Sequence, residues 1–123
     1  MPSSKPPVEI KASGSAPLIT IIMGKAQGGS YRIRMKPPNS AATVWEGDSD
    51  DDNLTDTHPL GPIAGLDGNL LSWRILMSSS SDSPGQIYMA TVIITQDGIP
   101  VTNGVYQYPI RDPYDIVRLK VVP

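Results

Sequence analysis

The stretch that decides the fold reads Tyr31-Arg32-Ile33-Arg34-Met35-Lys36. Apolar and basic side chains alternate through it, and a period of two places them on opposite faces of a β-strand. A helix would spread the same apolar residues around its circumference, because one helical turn takes about 3.6 residues. The stretch therefore predicts a half-buried strand whose solvent-facing side is cationic.

Seven more segments share this alternation or have the composition of strands. They span residues 8–12, 18–23, 42–45, 70–77, 87–95, 101–108 and 117–121. Gly28-Gly29 and Asp97-Gly98 have the composition of tight hairpin turns, and 13 Pro with 11 Gly interrupt any long helix. The pattern favours an all-β fold, an antiparallel β-sandwich of about eight strands with jelly-roll or immunoglobulin-like topology and little or no helix.

A chain of 123 residues accommodates one compact domain with one core. Residues 1–7 hold three Pro, two Ser and a Lys, a composition that has little to bury. We therefore expect a flexible proline-rich arm over 1–7 and a single sandwich domain over 8–123, with an acidic loop over 46–56. Trp45 and Trp73 lie on apolar strand faces and are expected to pack in the core.

The composition excludes several kinds of chemistry. The chain has no Cys and one His, so disulfides, thiolate sites and a three-histidine metal centre are ruled out within one chain. A net charge of −2 gives no overall field that attracts nucleic acid. No stretch has the roughly 18 apolar residues of a membrane span, and the first residues do not form a signal-peptide pattern. We expect a soluble protein that is cytoplasmic by default.

The single histidine, His58, follows Asp56 by two residues. Histidine is the most frequent general base, and serine hydrolases hold one between a nucleophile and a carboxylate. No Gly-x-Ser-x-Gly motif accompanies His58. An exposed or capping histidine is the simpler interpretation, and the sequence predicts that the protein is not an enzyme.

The segment 46–56 carries six of the twelve acidic residues. Ca²⁺ prefers about six to eight oxygen ligands, and carboxylates spaced along one turn supply several of them. The predicted metal ligands are Asp48, Asp50, Asp52 and Asp56. The spacing departs from an EF-hand, which needs Gly where Asn53 stands and Glu where Pro59 stands. The alternative is a solvated acidic loop that binds no cation.

The basic side of Arg32, Arg34 and Lys36 suits a phosphate, a sulfate or an acidic partner. Arg118 and Lys120 extend it if their strand lies alongside. Two other interpretations are open. Charged residues on edge strands protect a sheet against edge-to-edge aggregation, and the acidic segment of the chain itself is an available partner for these bases.

Aromatic rings and planar polar groups are concentrated in residues 106–115. A sugar offers an apolar ring face and a rim of hydroxyls, which suits a stacked tyrosine beside an Asp, Gln or Arg. The predicted ligand-binding residues are Tyr106, Tyr108, Asp112 and Tyr114. The alternative is that these tyrosines hydrogen-bond backbone at strand corners and hold the sandwich together.

These patterns favour a non-enzymatic binding module. We expect a small lectin-like carbohydrate-binding protein that uses loops at one end of the sandwich, with calcium as the one cofactor that the sequence suggests. Its expected partner is a carbohydrate or another protein, and neither nucleic acid nor a membrane. The alternative is a structural or assembly protein that self-associates through strand edges into a homo-oligomer. A hydrolase built on His58 has the least support.

Overall fold

The computed structural model describes residues 5–23, 27–37, 42–49, 54–79, 89–110 and 112–123. Over these ranges the chain forms nine β-strands and a single 3-10 turn at Ile63–Gly65. The strands are β1 (Val8–Lys11), β2 (Leu18–Met23), β3 (Gln27–Lys36), β4 (Thr43–Ser49), β5 (Leu54–Pro59), β6 (Leu70–Ser79), β7 (Ala90–Gln96), β8 (Ile99–Tyr108) and β9 (Tyr114–Val122). None of the helical structure in these ranges has the length and apolarity to cross a membrane.

The nine strands form the two layers of a β-sandwich. One sheet has five strands in the order β1-β9-β6-β3-β4, and the other has four in the order β5-β2-β7-β8. Neighbouring strands run antiparallel except β1 and β9, which run parallel at one edge. The predicted all-β sandwich is confirmed, with nine strands in place of about eight.

Alternate residues of each strand fill the space between the sheets. On β7, Ala90, Val92 and Ile94 are buried, and the residues between them are half-buried. Trp73 on β6 is fully buried, as its apolar strand face predicted, and a large side chain buried in this way stabilises the fold by roughly 1.5–3 kcal/mol. Trp45 is only half-buried and packs at the margin of the core.

One of the two predicted hairpin turns is confirmed and the other is wrong. Asp97 and Gly98 join β7 to β8 with φ values of 54° and 76°, the left-handed pair that a tight hairpin requires. Gly28 and Gly29 lie inside β3 and pair with residues of β6. Gly29 is needed for a different reason, because a Cβ there would press against the backbone carbonyl oxygen of Leu76.

The acidic segment contains more strand than the sequence indicated. Residues 46–49 complete β4, and residues 54–56 begin β5, so only residues 50–53 of the predicted loop over 46–56 lie outside the described ranges. β5 has no apolar alternation of its own. It is a strand because it pairs along its whole length with β2, where Ile21 lies opposite Asp56 and Ile19 opposite His58.

Residues 5–7, at the end of the predicted arm, contact the sandwich. Lys5 Nζ lies 3.3 Å from Asp115 Oδ2, and Asn103 Nδ2 donates a hydrogen bond of 3.0 Å to the carbonyl oxygen of Pro7. These contacts lie where β1 packs beside β8, at the edge of both sheets. A flexible arm over 1–7 stays a prediction, since residues 1–4 lie outside the described ranges.

Candidate functional site

The predicted carbohydrate set does not form one open surface. Tyr106 and Tyr108 share one side of β8, and this side turns towards the core. The ring of Tyr106 packs on Trp73 with 5.1 Å between centroids, and its hydroxyl donates to the carbonyl oxygen of Asn103. Of the four residues, only Asp112 and Tyr114 are exposed, and Tyr114 has 61% of its surface accessible.

Tyr108 belongs to a hydrogen-bonded network inside the sandwich. Trp73 Nε1 donates to the Tyr108 hydroxyl at 3.0 Å, which in turn donates to Asp115 Oδ2 at 2.7 Å. Lys5 pairs with the same carboxylate oxygen and lies 5.6 Å from the ring centroid of Tyr106. The network connects β8 of the four-stranded sheet to β6 and β9 of the five-stranded sheet. Its contacts match the alternative in which these tyrosines hold the fold together.

Both tyrosines of this network keep their protons well above neutral pH. Burial raises the pKa of Tyr106 to about 12, and the charge of Asp115 adds to the shift. Burial also raises the pKa of Tyr108, and the hydrogen bond to Asp115 and its charge raise it further, because ionisation would place a second negative charge beside that carboxylate. The two phenols therefore act as hydrogen-bond donors within the fold, and a sugar would need to displace Asn103 or Asp115 to use them.

The predicted calcium ligands are only partly described. Asp56 lies on β5, where its Oδ2 accepts a hydrogen bond of 2.7 Å from the Tyr31 hydroxyl. Asp48 lies on β4 opposite Ser30, and Asp50 and Asp52 fall outside the described residues. Among the residues that the structure describes, no three acidic or histidine side chains come together in a metal-binding group.

Calcium binding by this segment stays a prediction. A ligand that binds only the folded state raises the midpoint of thermal unfolding by mass action. A midpoint that rises with excess Ca²⁺ and falls back with a chelator would support the site. A midpoint that does not move would contradict it.

His58 and Asp56 contact Tyr31, which the alternation over residues 31–36 assigns to the buried side of its strand. The Tyr31 hydroxyl lies 2.7 Å from Asp56 Oδ2 and 2.6 Å from His58 Nε2, and the Trp45 ring lies 6.2 Å from the imidazole between centroids. The cluster joins β3 of one sheet to β5 of the other. Gly47 makes room for it, because a Cβ at that position would lie 2.6 Å from the Tyr31 ring.

The hydrogen bonds of this cluster define how its protons are shared. Burial and the contact with Asp56 raise the pKa of the Tyr31 phenol above its ordinary value, so the phenol keeps its proton. Because the Tyr31 hydroxyl donates its one proton to Asp56 Oδ2, its contact with His58 Nε2 requires the proton of that contact to lie on Nε2. His58 Nε2 is then the donor in this contact. The arrangement satisfies polar groups at the margin of the core.

A different surface gathers the basic residues of the chain. Seven of the ten Lys and Arg residues lie on the outer side of the five-stranded sheet, which we call the basic face. They are Lys11, Arg32, Arg34, Lys36, Arg74, Arg118 and Lys120. Register fixes this placement, because residues opposite each other on neighbouring strands share a face.

The basic face is densest where three strands meet. Arg32 of β3 lies directly opposite Arg74 of β6, and Arg74 lies opposite Tyr114 of β9. Arg118 and Lys120 extend the face along β9. The sequence predicted this only for a strand alongside β3, whereas β6 lies between β3 and β9. Sequence reasoning missed Arg74, since the pairing of β6 with β3 is not visible from either strand alone.

Edge protection does not account for this surface, because β3 and β6 are interior strands. Acidic residues on the same side belong to the edge strands β1 and β4. Glu9 lies opposite Lys120, and Glu46 pairs with Arg32 at 3.0 Å. Within the described ranges, Arg34 and Arg74 have no hydrogen-bond or ion-pair partner for their guanidinium groups. Within the described part of the acidic segment, the ion pair to the basic face is that of Glu46 with Arg32, at the β4 side.

Comparison of the chain with protein-family models, with curated proteins and with solved structures gives no match.

Proposed function

We propose that the chain is a non-enzymatic binding module that holds an acidic carbohydrate on its basic face. The single observation that carries this proposal is the row formed by Arg32, Arg74 and Tyr114 across three neighbouring strands. All three side chains are exposed. A flat surface with cations and an aromatic ring offers charge to an acidic group and a stacking plane to a sugar ring.

The charge pattern supports an anionic ligand. Like charges directly opposite each other on paired strands are unfavourable, and Arg32 and Arg74 stand in that relation. The ion pair with Glu46 offsets part of the repulsion at Arg32, while Arg74 has no such ion pair among the described residues. A bound carboxylate or sulfate would relieve this repulsion, and the planar guanidinium group can hold either one through two parallel hydrogen bonds.

The aromatic residue favours carbohydrate among acidic ligands. Tyr114 has 61% of its surface exposed and is the member of the predicted sugar-binding set that lies on the basic face. Leu76 follows Arg74 by two residues on β6 and lies on the same side of the sheet. It is 51% exposed and adds apolar surface for the ring face of a sugar. A single-stranded nucleic acid would need several stacking rings, and the described part of this face offers one.

Binding assays with matched ligands test the proposal. We expect the protein to bind a sulfated polysaccharide such as heparin, with weaker binding to poly-glutamate and none to neutral dextran. Affinity should fall steeply as salt rises, since the contacts are between exposed charges. The double variant Arg34→Gln/Arg74→Gln removes the two arginines of this face whose guanidinium groups have no partner among the described residues. At about 0.5–1 kcal/mol for each exposed contact it should weaken binding roughly 5- to 30-fold.

Lys5→Gln is the matched control. It removes the same charge as each arginine substitution, but Lys5 lies at the β8 side of the sandwich beside Asp115. Binding should stay within about twofold of the unmodified protein, because Lys5 lies away from the basic face, beside Asp115 and the ring of Tyr106. Equal losses in the control and the double variant, or equal binding of dextran and heparin, would contradict the proposal.

A further inference from the structure

The outer side of the four-stranded sheet differs chemically from the basic face. The residues on this side, which we call the neutral face, alternate with the buried residues of β2, β5, β7 and β8. They are Leu18, Thr20, Ile22, Thr55, Thr57, Pro59, Thr91, Ile93, Thr95, Val105 and Gln107. None of these eleven residues is charged, and five are threonines.

The neutral face is continuous across all four strands. Thr20 of β2 lies opposite Thr57 of β5 on one side and Ile93 of β7 on the other, and Ile93 lies opposite Val105 of β8. The hydroxyls of Thr20 and Thr57 are 3.0 Å apart and hydrogen-bond each other. Polar groups that bond within the face need fewer bonds to water, so such a surface is less costly to cover.

We propose that the neutral face is the interface between two copies of this chain. In a two-fold dimer the same patch meets itself, so every charge on the patch faces a like charge on the partner. The basic face would oppose arginine to arginine in such an arrangement, whereas the neutral face brings no charges together. Exposed Leu18 and Val105, at 39% and 49% accessible, supply apolar surface that the second copy would cover.

The size of the face predicts a weak, concentration-dependent dimer. Four strands about 4.8 Å apart and about six residues long cover a flat area of roughly 300 Å². The surface of the protruding side chains adds to this area. A standard interface buries about 800 Å² on each partner. Two such sheets would stack about 10 Å apart, as the layers of a sandwich do.

The dimer would turn the two basic faces outwards, since the basic and neutral faces are opposite sides of the sandwich. One dimer would then offer an acidic polymer two binding surfaces, and linked sites raise the overall affinity through effective concentration. The dimer itself rests on the neutral face alone, so it stands or fails independently of the ligand proposed for the basic face.

Sedimentation velocity on the purified chain tests the proposal without any ligand. Between about 10 μM and about 1 mM, where so small an interface is expected to associate, the mean mass should rise from that of the monomer towards twice that mass. Val105→Lys should weaken dimerisation at least tenfold, because it places like charges across the two-fold axis. Val44→Lys is the control, since it makes the same change at a similarly exposed valine (45% accessible) on the basic face.

A second variant separates association through the face from association through strand edges. Thr20 lies on β2, an interior strand, so Thr20→Lys charges the middle of the neutral face and leaves both sheet edges unchanged. It should also weaken dimerisation at least tenfold, with circular dichroism confirming that each variant folds. A protein that stays monomeric throughout the range, or folded Val105→Lys and Thr20→Lys variants that associate like the unmodified chain, would overturn the proposal.

Discussion

At the scale of single residues, three tyrosines connect strands that are not neighbours in a sheet. Tyr31 bridges the two sheets through Asp56 and His58, while Tyr106 and Tyr108 tie β8 to Trp73 and Asp115. A buried phenol needs a partner for its hydroxyl. The hydroxyls of Tyr31 and Tyr108 find partners on other strands, and that of Tyr106 donates to Asn103 within β8, so their loss should appear in stability measurements.

Tyr31→Phe should destabilise the protein by about 1–3 kcal/mol, because it leaves Asp56 and His58 without their shared partner. Urea unfolding followed by tryptophan fluorescence measures the change. Tyr114→Phe is the control, since its hydroxyl is exposed and has no partner among the described residues. The control should change stability by less than about 0.5 kcal/mol. Equal effects of the two substitutions would show that the Tyr31 cluster adds nothing.

Stability should fall as pH rises above 10, because folding raises the pKa of Tyr106 from 10.0 to about 12. Between these values the unfolded chain loses the phenolic proton while the folded chain keeps it, so the unfolded state binds fewer protons and stability declines with pH. The contribution is complete below pH 10 and is lost as pH passes about 12. The midpoint of thermal unfolding should decline less steeply over this window in Tyr106→Phe. An unchanged slope would contradict this assignment.

At the scale of strands, the elements that the sequence predicted are those with an alternation or a strand-like apolar composition of their own. β3 and β6 each alternate apolar with polar residues, and both have the expected faces buried. The sequence did not predict β5, because apolar and polar residues do not alternate through Thr55, Asp56 and Thr57. These residues form a strand because they pair with β2. The Tyr31 cluster and the Arg32–Arg74 row were missed for the same reason, since they depend on which strands become neighbours.

Gly29 tests the pairing of β3 with β6. Gly29→Ala should destabilise the protein by about 1–3 kcal/mol, because its Cβ would press on backbone of β6 that cannot move without breaking the ladder. Gly65→Ala is the control, with nothing within 4 Å of the new Cβ, and should be neutral or stabilising by up to about 1 kcal/mol. Denaturant unfolding of both variants gives the comparison. A Gly29→Ala protein as stable as the control would show that β3 and β6 are further apart than described.

At the scale of the whole molecule, the outer sides of the two sheets differ in charge: the basic face lies on the five-stranded sheet and the neutral face on the four-stranded sheet. The net charge of −2 conceals this division, because acidic residues are concentrated in one segment while seven bases lie on the outer side of one sheet. Alternation assigned each basic residue to a solvent face, but only strand order showed that these faces are one surface. The proposed functions of the basic and neutral faces follow from that order.

Amide chemical shifts recorded during titration with a heparin oligosaccharide test the central claim most directly, because every strand reports separately. The account predicts that the largest shifts occur at Arg32, Arg74 and Tyr114 and along β3, β6 and β9, with none centred on the neutral face. In Arg34→Gln/Arg74→Gln the same shifts should need roughly 5- to 30-fold more oligosaccharide to reach half of their final size. Shifts centred on β2 and β7, or no shifts at saturating oligosaccharide, would contradict the account.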